Sequence, residues 1–550
     1  MAITERAKRH VERFRKKRDS RGVWDNHWDD LSRVQLPRRL GFSSSTVPGE
    51  SRTEDLYDGT PMQAANGLAN AIGGMLRPDG RKTAFIKTVE DADENTDEAK
   101  EWLADSEKRL DDELKNPKSR FRQATGECDL DLVVLGTACV FEGEGKNLNH
   151  LLFQSVHLKD AYPVFDEDGT AAGMYRRRNL TTEQAVDEFG LANVSENVRE
   201  KYRKEEYEDR ADYLHCVLRR REGRPDAVFA RNFPFTNLWI DISSKDEVKD
   251  GGFRSFPFIV PRWDTSSGEE YGRSPGMIAL PDSNTAQAQG ETILVAGQRA
   301  ADPPMATPFD GFFTEYNTFP GGLVYYDVET AKAVGRIPMQ PLESGTNLPI
   351  SRDMQQDTRN QIFAAFFRNV LNLPVEGPQM TATEVIQRKE EFLREIGPVF
   401  GRLETDYTAP MIERAFAILF RAGAFAPVPP SLQGRRVRFE YESPVKRIRQ
   451  QIESAAARLW VQEHINMATE LQRPEILDPI NFDEYSKFTH EAAGLPHEIL
   501  NGDDRIEAKR AARDQELQQA QERAEIASTV ETMDVAAAAA QKAGLTQKAA

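Results

Sequence analysis

At 550 residues, 39% of them apolar and 29% charged, the chain is too long for one hydrophobic core and reads as a soluble, multidomain globular protein. A net charge of −17 excludes a protein that grips nucleic acid over its whole surface, but permits one past which DNA slides. Three cysteines (Cys128, Cys139, Cys216) form no Cys-x-x-Cys pair, and no apolar run approaches the roughly 20 residues that span a bilayer; both point to a soluble product of a reducing cytoplasm.

The chain opens with a basic helix carrying Arg6, Lys8, Arg9, Arg13, Arg15, Lys16, Lys17 and Arg18. Such a run reads as a solvated helix face, with a DNA-contacting arm as the alternative. Trp24 and Trp28 stand one turn apart with Leu31 continuing the stripe, which predicts a buried face, and Pro37 ends the segment. Residues 43–51 are a polar loop. Thr60 is then expected to cap a helix whose first residue is Pro61 and whose core side carries Ala64, Leu68, Ile72 and Leu76. An amphipathic helix covers 97–114.

From Leu130 the period changes: Leu132 to Leu135 lead to Gly136, and Ala138 to Phe141 read as a buried strand. Strands follow at 153–156 and 161–165, then a hairpin turn at Asp166-Glu167-Asp168-Gly169 leads to Met174-Tyr175-Arg176. These acids are no EF-hand loop, because Val164 stands where an oxygen ligand is required. A short helix at 181–189 is capped by Thr181 or Thr182. Further antiparallel strands are predicted at 213–219, 227–232 and 238–240, so the fold class is α+β and helix-rich.

Catalytic templates fail. Gly145-Lys146 lacks the glycine of a phosphate-binding loop, since Val140 takes its place and Asn147 replaces the hydroxyl. His490-Glu491 and His497-Glu498 lack a second histidine one turn on, where Gly494 and Asn501 stand. No Gly-x-Ser-x-Gly elbow occurs, and no metal or nucleophile constellation is found. The expectation is a protein that is not an enzyme and binds no metal or cofactor.

The middle of the chain is more informative. Ser274 can cap a helix beginning at Pro275, with a kink or restart at Pro281-Asp282, and 282–301 makes a strut of roughly 30 Å. Its apolar content is thin (Ala286, Ala288, Ile293, Leu294, Ala296), which suits packing beside copies of itself; an ordinary connecting helix is the alternative. An irregular insert follows, in which Phe309, Phe312, Phe313 and Tyr316 either pack a small subdomain or face a partner. A second helical run covers 351–371. Two prolines and a glycine exclude a helix over Leu371 to Met380. Thr381 or Thr383 starts a long helix with the stripe Val385, Phe392, Ile396, Val399 and Leu403; Pro398 predicts a kink, Pro410 a break and Gly423 a stop. Arg435 to Tyr441 alternates as a strand, and Pro444 opens a further helical region. Residues 504–550 are helical in propensity without a stripe, which predicts fraying or disorder.

Three stretches, Leu56-Tyr57-Asp58-Gly59-Thr60 (followed by Ala65, Leu68 and Ala69), Glu270-Tyr271-Gly272-Arg273-Ser274-Pro275-Gly276 and Met380-Thr381-Ala382-Thr383-Glu384-Val385, carry a resemblance. Together with the helix, insert, helix order they resemble the portal (head-to-tail connector) proteins of short-tailed, podovirus-type bacteriophages, over roughly residues 20–470. The resemblance implies a portal-type subunit that assembles into a ring: an N-terminal helical segment (1–45), a wing (46–272), stem helices (273–302 and 349–371), a clip (303–348), a channel loop (372–380), a long kinked wing helix (381–430), a crown (431–503) and a helical or disordered tail (504–550). It also implies a homo-oligomer, expected to be a dodecamer, at one capsid vertex of the virion, assembled in the host cytoplasm, through which double-stranded DNA is packaged and ejected. The terminase large subunit, then tail adaptor proteins, would dock on the clip through Phe309, Phe312, Phe313 and Tyr316; major capsid and scaffolding proteins are the other partners. The loop Pro374, Val375, Glu376, Gly377, Pro378 and Gln379 would face the DNA, with Glu376 as its one formal charge. Rival readings are a different ring-forming tail structural protein and a metal-dependent hydrolase with dispersed acids.

Overall fold

The computed structural model describes residues 2–43, 49–78, 84–88, 97–145, 151–301, 305–306, 329, 332, 340–341, 348–368, 394–395, 397–441, 444–493, 506 and 508–521. The chain divides into two compact units, Met1–Lys446 and Arg447–Ala550. The expected loop Pro374 to Gln379, the aromatics Phe309, Phe312, Phe313 and Tyr316, and the stretch Met380 to Val385 lie outside the described residues.

The first unit is built on a five-stranded antiparallel sheet in the order β4 (Ala161–Phe165), β5 (Ala171–Thr181), β6 (Arg210–Leu218), β7 (Phe235–Asp241), β8 (Glu247–Phe253). The two-residue side-chain period divides its strands cleanly. Tyr175, Leu214, Cys216, Leu238 and Ile240 face one way and meet Ala7, Val11 and Phe14 of α1 (Ala2–Ser20). Tyr213 and Trp239 face the other way, onto the helices α6 (Thr182–Phe189) and α7 (Glu196–Arg203). The basic helix is therefore a covering helix whose 3-4 spaced apolar stripe is buried; most of its cations are exposed, while the part-buried Arg6 reaches Asp250 of β8 at 3.3 Å. At the other end of the sheet, Met174 and Val217 join Cys139, Phe258 and Val260 in a cluster shared with a three-stranded sheet, β3 (Leu151–Ser155), β2 (Val140–Glu144), β9 (Phe258–Ile259).

A helical layer completes the unit: α2 (Gly22–Gln35), α3 (Thr60–Leu76) and α5 (Phe121–Leu135) pack on one another and on the long α8 (Pro275–Ala301), which α9 (Leu348–Ala365) accompanies. A further helix, α4 (Asp97–Lys115), packs on β1 (Ala84–Thr88), which pairs antiparallel with β12 (Val437–Tyr441). This strand belongs to the first unit although it falls within 431–503. A two-residue pair, β10 (Met305–Ala306) with β11 (Gln340–Pro341), joins the two ends of the insert. Residues 397–403 are helical and pass through a π segment, Glu404–Thr408, into α10 (Ala409–Arg421). The wider turn sits directly before Pro410, whose missing N–H breaks the regular ladder. Helix α10 stops before Gly423, at φ +70°.

Several expectations are corrected. Leu132 to Leu135, where the period changes, end helix α5, whose last two turns are enclosed on all sides so that a run of buried residues hides the helical period, and the strand expected over Ala138 to Phe141 runs from Val140 to Glu144. Gly59, not Thr60, precedes the helix start, and the buried first-turn amide of Thr60 donates to Asp58 Oδ1 at 2.9 Å. Residues 227–232 are no strand: Pro225 and the 3₁₀ turn Ala230–Asn232 close the segment on itself. Helix α8 runs through Pro281 without a restart. The second long helix ends at Ala365, where Phe367 turns to φ +57°, earlier than 371.

The second unit holds the greater part of α11 (Pro444–Glu470), a 3₁₀ turn at Pro474–Leu477 and α12 (Phe482–Ala493). Arg510 clasps both carboxylate oxygens of Asp483, at 2.7 and 2.8 Å.

Candidate functional site

The two long helices α8 and α9 lie side by side, and α8 alone is 27 residues, about 40 Å. Their footing is built from two of the three stretches that carried the resemblance.

The first is Glu270 to Gly276. Ser274 Oγ accepts from Met277 N at 3.0 Å, capping the helix as expected, and donates to Val134 O at the end of α5 at 2.7 Å. Tyr271 is buried edge-on against Trp28, with ring centres 5.0 Å apart, and Trp28 in turn donates to Leu135 O at 3.0 Å. Gly272 N donates to Thr137 Oγ1 at 2.8 Å while its backbone lies flat against Gly136. A Cβ on either glycine would overlap the other's carbonyl oxygen, and Gly136 also sits at φ +79°, so no other residue fits this crossing without backbone movement. Gly276 O accepts from the buried Gln35 Nε2 at 2.8 Å. Arg273 lies over the Trp24 ring at 5.0 Å and pairs with Glu269, while Glu270 meets Lys17 at 2.9 Å. Above this footing Ala279, Ser283 and Ala286 point inward at helical spacing, and Ser283 Oγ satisfies Ala279 O at 2.7 Å.

The second is Leu56 to Thr60, and it holds both helices at once. Gln287 of α8 accepts from Tyr57 N and Asp58 N at 2.8 and 2.9 Å, and donates to Asp58 O at 2.6 Å. The Asp58 carboxylate receives Arg359 Nε of α9 at 2.9 Å and Gln355 Nε2 at 3.3 Å. Burial alone would raise this carboxyl; the hydrogen bonds from Thr60 and then Arg359 reverse that, leaving it below the ordinary aspartate value. Sequence reasoning quoted Asp58 but missed its partners, because Gln287, Gln355 and Arg359 stand in the polar part of weakly apolar helices. The only sequence signal was that these helices had too little apolar surface to hold themselves in place.

Beneath the footing, α5 carries buried acids that tie in flanking segments: Asp131 meets Arg39 at 2.7 Å, and Asp129 meets Arg77. Away from it, Ile278, Leu294 and Val295 of α8 and Ile350 and Met354 of α9 are exposed. No group of three or more His, Cys, Asp or Glu among the described residues could hold a metal ion, and no described helix is long and apolar enough to cross a membrane. The chemistry available here is attachment: two struts side by side, with exposed apolar side chains interspersed among charges such as Glu291, Arg299, Arg352 and Asp353, bolted to a folded body.

Comparison with known proteins adds the following. Residues 7–500 match the family model described as bacteriophage head to tail connecting protein. A protein of Bordetella phage BPP-1 named "Probable portal protein" is 26% identical over 525 residues, covering 94% of this chain and 92% of that protein. The "Portal protein" of Salmonella phage epsilon15 is 25% identical over 536 residues, covering 95% and 93%. A chain from the virion of a native gene transfer agent particle aligns with a TM-score of 0.34 at 10% identity, over 76% of this chain and 90% of that one.

Proposed function

The chain belongs to the bacteriophage head to tail connecting proteins, and from that premise we propose that it is a portal subunit, a structural component of the virion that forms the channel for genome packaging and ejection. Copies assemble into a ring, with twelve as the expected number, at one vertex of the capsid. The observation that carries this reading is the pair of long helices anchored through the 56–60 and 270–276 stretches, because struts with so little apolar surface of their own gain packing from neighbours in a ring.

In this reading 46–272 and 381–430 form the wing, 273–302 and 349–371 the stem, 303–348 the clip, 372–380 the channel loop, 431–503 the crown and 504–550 a tail. The chain makes and breaks no bond. DNA passes a wall of the same sign, with Glu376 in the loop adding one charge per copy, so the duplex slides without sticking. Phe309, Phe312, Phe313 and Tyr316 of the clip receive the terminase large subunit first and tail adaptors afterwards, while capsid and scaffolding proteins surround the wing; assembly takes place in the host cytoplasm.

Negative-stain imaging of the purified full-length protein at physiological salt tests the reading. Closed rings with a central channel are expected. Monomers throughout the micromolar range would overturn it.

A further inference from the structure

The hairpin joining β6 to β7, residues 219–234, is an arm built to hold two apolar side chains in solvent. Val228 and Phe229 at its tip are 88% and 72% exposed. Left in water, both forgo the stabilisation that burial of an apolar side chain supplies.

The arm is nevertheless tightly braced. Arg220 N donates to Pro234 O at 2.6 Å and Arg224 N to Asn232 O at 2.8 Å, closing the stem of the hairpin. The Arg220 guanidinium then reaches Ala230 O at 3.2 Å, Phe233 O at 3.1 Å and Gly251 O at 2.8 Å, tying both limbs to the neighbouring strand. Asn232 N closes back on Phe229 O at 2.9 Å, and Arg254 covers the Phe233 ring at 4.7 Å. Two glycines permit this packing: a Cβ on Gly252 would overlap Ala230 O, and one on Gly223 would overlap the Pro234 backbone. An idle loop needs no such bracing. A binding loop gains from it, because a tip that is already ordered loses little entropy when it docks.

Charge selects the occupant. The arm carries five arginines (Arg219, Arg220, Arg221, Arg224, Arg231) against Glu222 and Asp226, and Arg219 pairs with Asp166 at 3.7 Å and Arg220 and Arg231 with Asp250 at 3.7 and 3.8 Å; five positive charges against four acids leave the arm slightly cationic on a chain of net charge −17. Copies of this chain repel one another in general, and a cationic arm makes one contact between them attractive. An apolar tip on one side of a subunit received elsewhere on the next is a head-to-tail contact, the kind that closes into rings. We infer that Val228 and Phe229 insert into the neighbouring copy of this chain, with Arg221 and Arg224 steering the approach. The inference rests on the ring reading above and adds the residues of one contact.

The test compares wild type with V228S/F229S by mass photometry at equal concentration and salt, with circular dichroism as the folding check. Closed rings for wild type and at least a tenfold loss of them for the variant, at unchanged helicity, are expected. In a second measurement F229C is labelled with a benzophenone maleimide, which is selective because Cys128, Cys139 and Cys216 are buried. Mixed with excess wild type and irradiated, it should cross-link to a second copy, the site being read by mass spectrometry. Undiminished rings in the serine variant, or cross-links confined to the same chain or formed only with capsid protein in assembled heads, would overturn the inference and leave the ring reading standing. A wild-type protein without rings would overturn both. Should V228S/F229S misfold, the cross-link alone decides.

Discussion

Arg359 Nε and the Asp58 carboxylate meet at 2.9 Å across 301 residues of sequence, and this contact fastens the second long helix to the body of the first unit. The two partners are unequal. The Asp58 side chain is 1% exposed, whereas that of Arg359 is 36% exposed and can be hydrated if released. Losing the arginine therefore leaves a buried carboxylate with Thr60 N and Gln355 but no cation, while neutralising the aspartate leaves only a part-exposed guanidinium that water can reach. R359A should cost about 2–4 kcal/mol and D58N about 1–2 kcal/mol, in that order. Chemical denaturation gives the two values, and hydrogen exchange should quicken in 348–365 for both variants. Equal costs, or no change in exchange, would contradict the fastening role.

Much of this footing was legible in the sequence. Ser274 and Pro275 announced a helix start, and Trp24, Trp28 and Leu31 announced a buried stripe, because capping and periodicity act over a few residues. The crossing of Gly136 with Gly272 and the reach of Gln287 to Asp58 were not legible, since both join segments more than a hundred residues apart and leave no local pattern. The same limit explains Leu132 to Leu135: once a helix is enclosed, burial no longer alternates and its period disappears from the sequence. Arm residues 227–232 failed for the opposite reason, as their strand-like composition is overruled by Pro225 and by backbone bonds that fold the loop on itself.

Acid should destabilise the first unit well above the carboxylate range. His215 is stacked on Trp239 at 4.1 Å, and His157 accepts from Lys159 N. Burial, followed by Arg176 for His215 and by Arg39 for His157, pushes both down to about 3 from an ordinary 6.5. A base whose folded value is depressed is neutral in the fold and charged in the unfolded chain. Its contribution is complete above pH 6.5 and is lost as pH falls toward 3. Two such sites add a slope of about 2.7 kcal/mol per pH unit in that window. Urea titrations at pH 7, 6, 5 and 4 should show it, and H215Q should shallow the slope by about 1.4 kcal/mol per pH unit.

Rising pH should act through Glu142. Its carboxyl is buried with neither oxygen hydrogen-bonded among the described residues, and burial, opposed by Arg414, raises it from 4.5 to about 8. Here the sign is reversed: the raised value favours the fold fully below pH 4.5, and that contribution fades as pH rises through 8. E142Q keeps the neutral shape and removes the titration. Its stability relative to wild type should climb between about pH 4.5 and 8 and level off above, measured by thermal melting from pH 5 to 9; parallel curves would show that the carboxyl does not titrate there.

The crossing of Gly136 and Gly272 makes the sharpest steric prediction. A methyl on Gly272 meets Gly136 O and the Asp264 carbonyl oxygen, both backbone atoms, so no flexible side chain can yield to it. The strand, turn and helix it joins are each fixed separately: Trp263 N to Gly136 O at 2.9 Å, Arg273 N to Asp264 O at 2.7 Å, and Ser274 Oγ to Val134 O at 2.7 Å. The overlap can be relieved only by breaking one of these, and overpacking of that kind costs about 3 kcal/mol or more. Gly74, exposed within α3, supplies the control, since a Cβ there meets nothing within 4 Å. In a helix interior alanine is favoured over glycine, so G74A should be neutral or stabilising by up to about 1 kcal/mol. The denaturation midpoint of G272A should therefore fall well below wild type while that of G74A stays level or rises. If G272A melts with the native protein, the helix foot has room that this packing denies it, and the 270–276 stretch is not the rigid joint between the struts and the body.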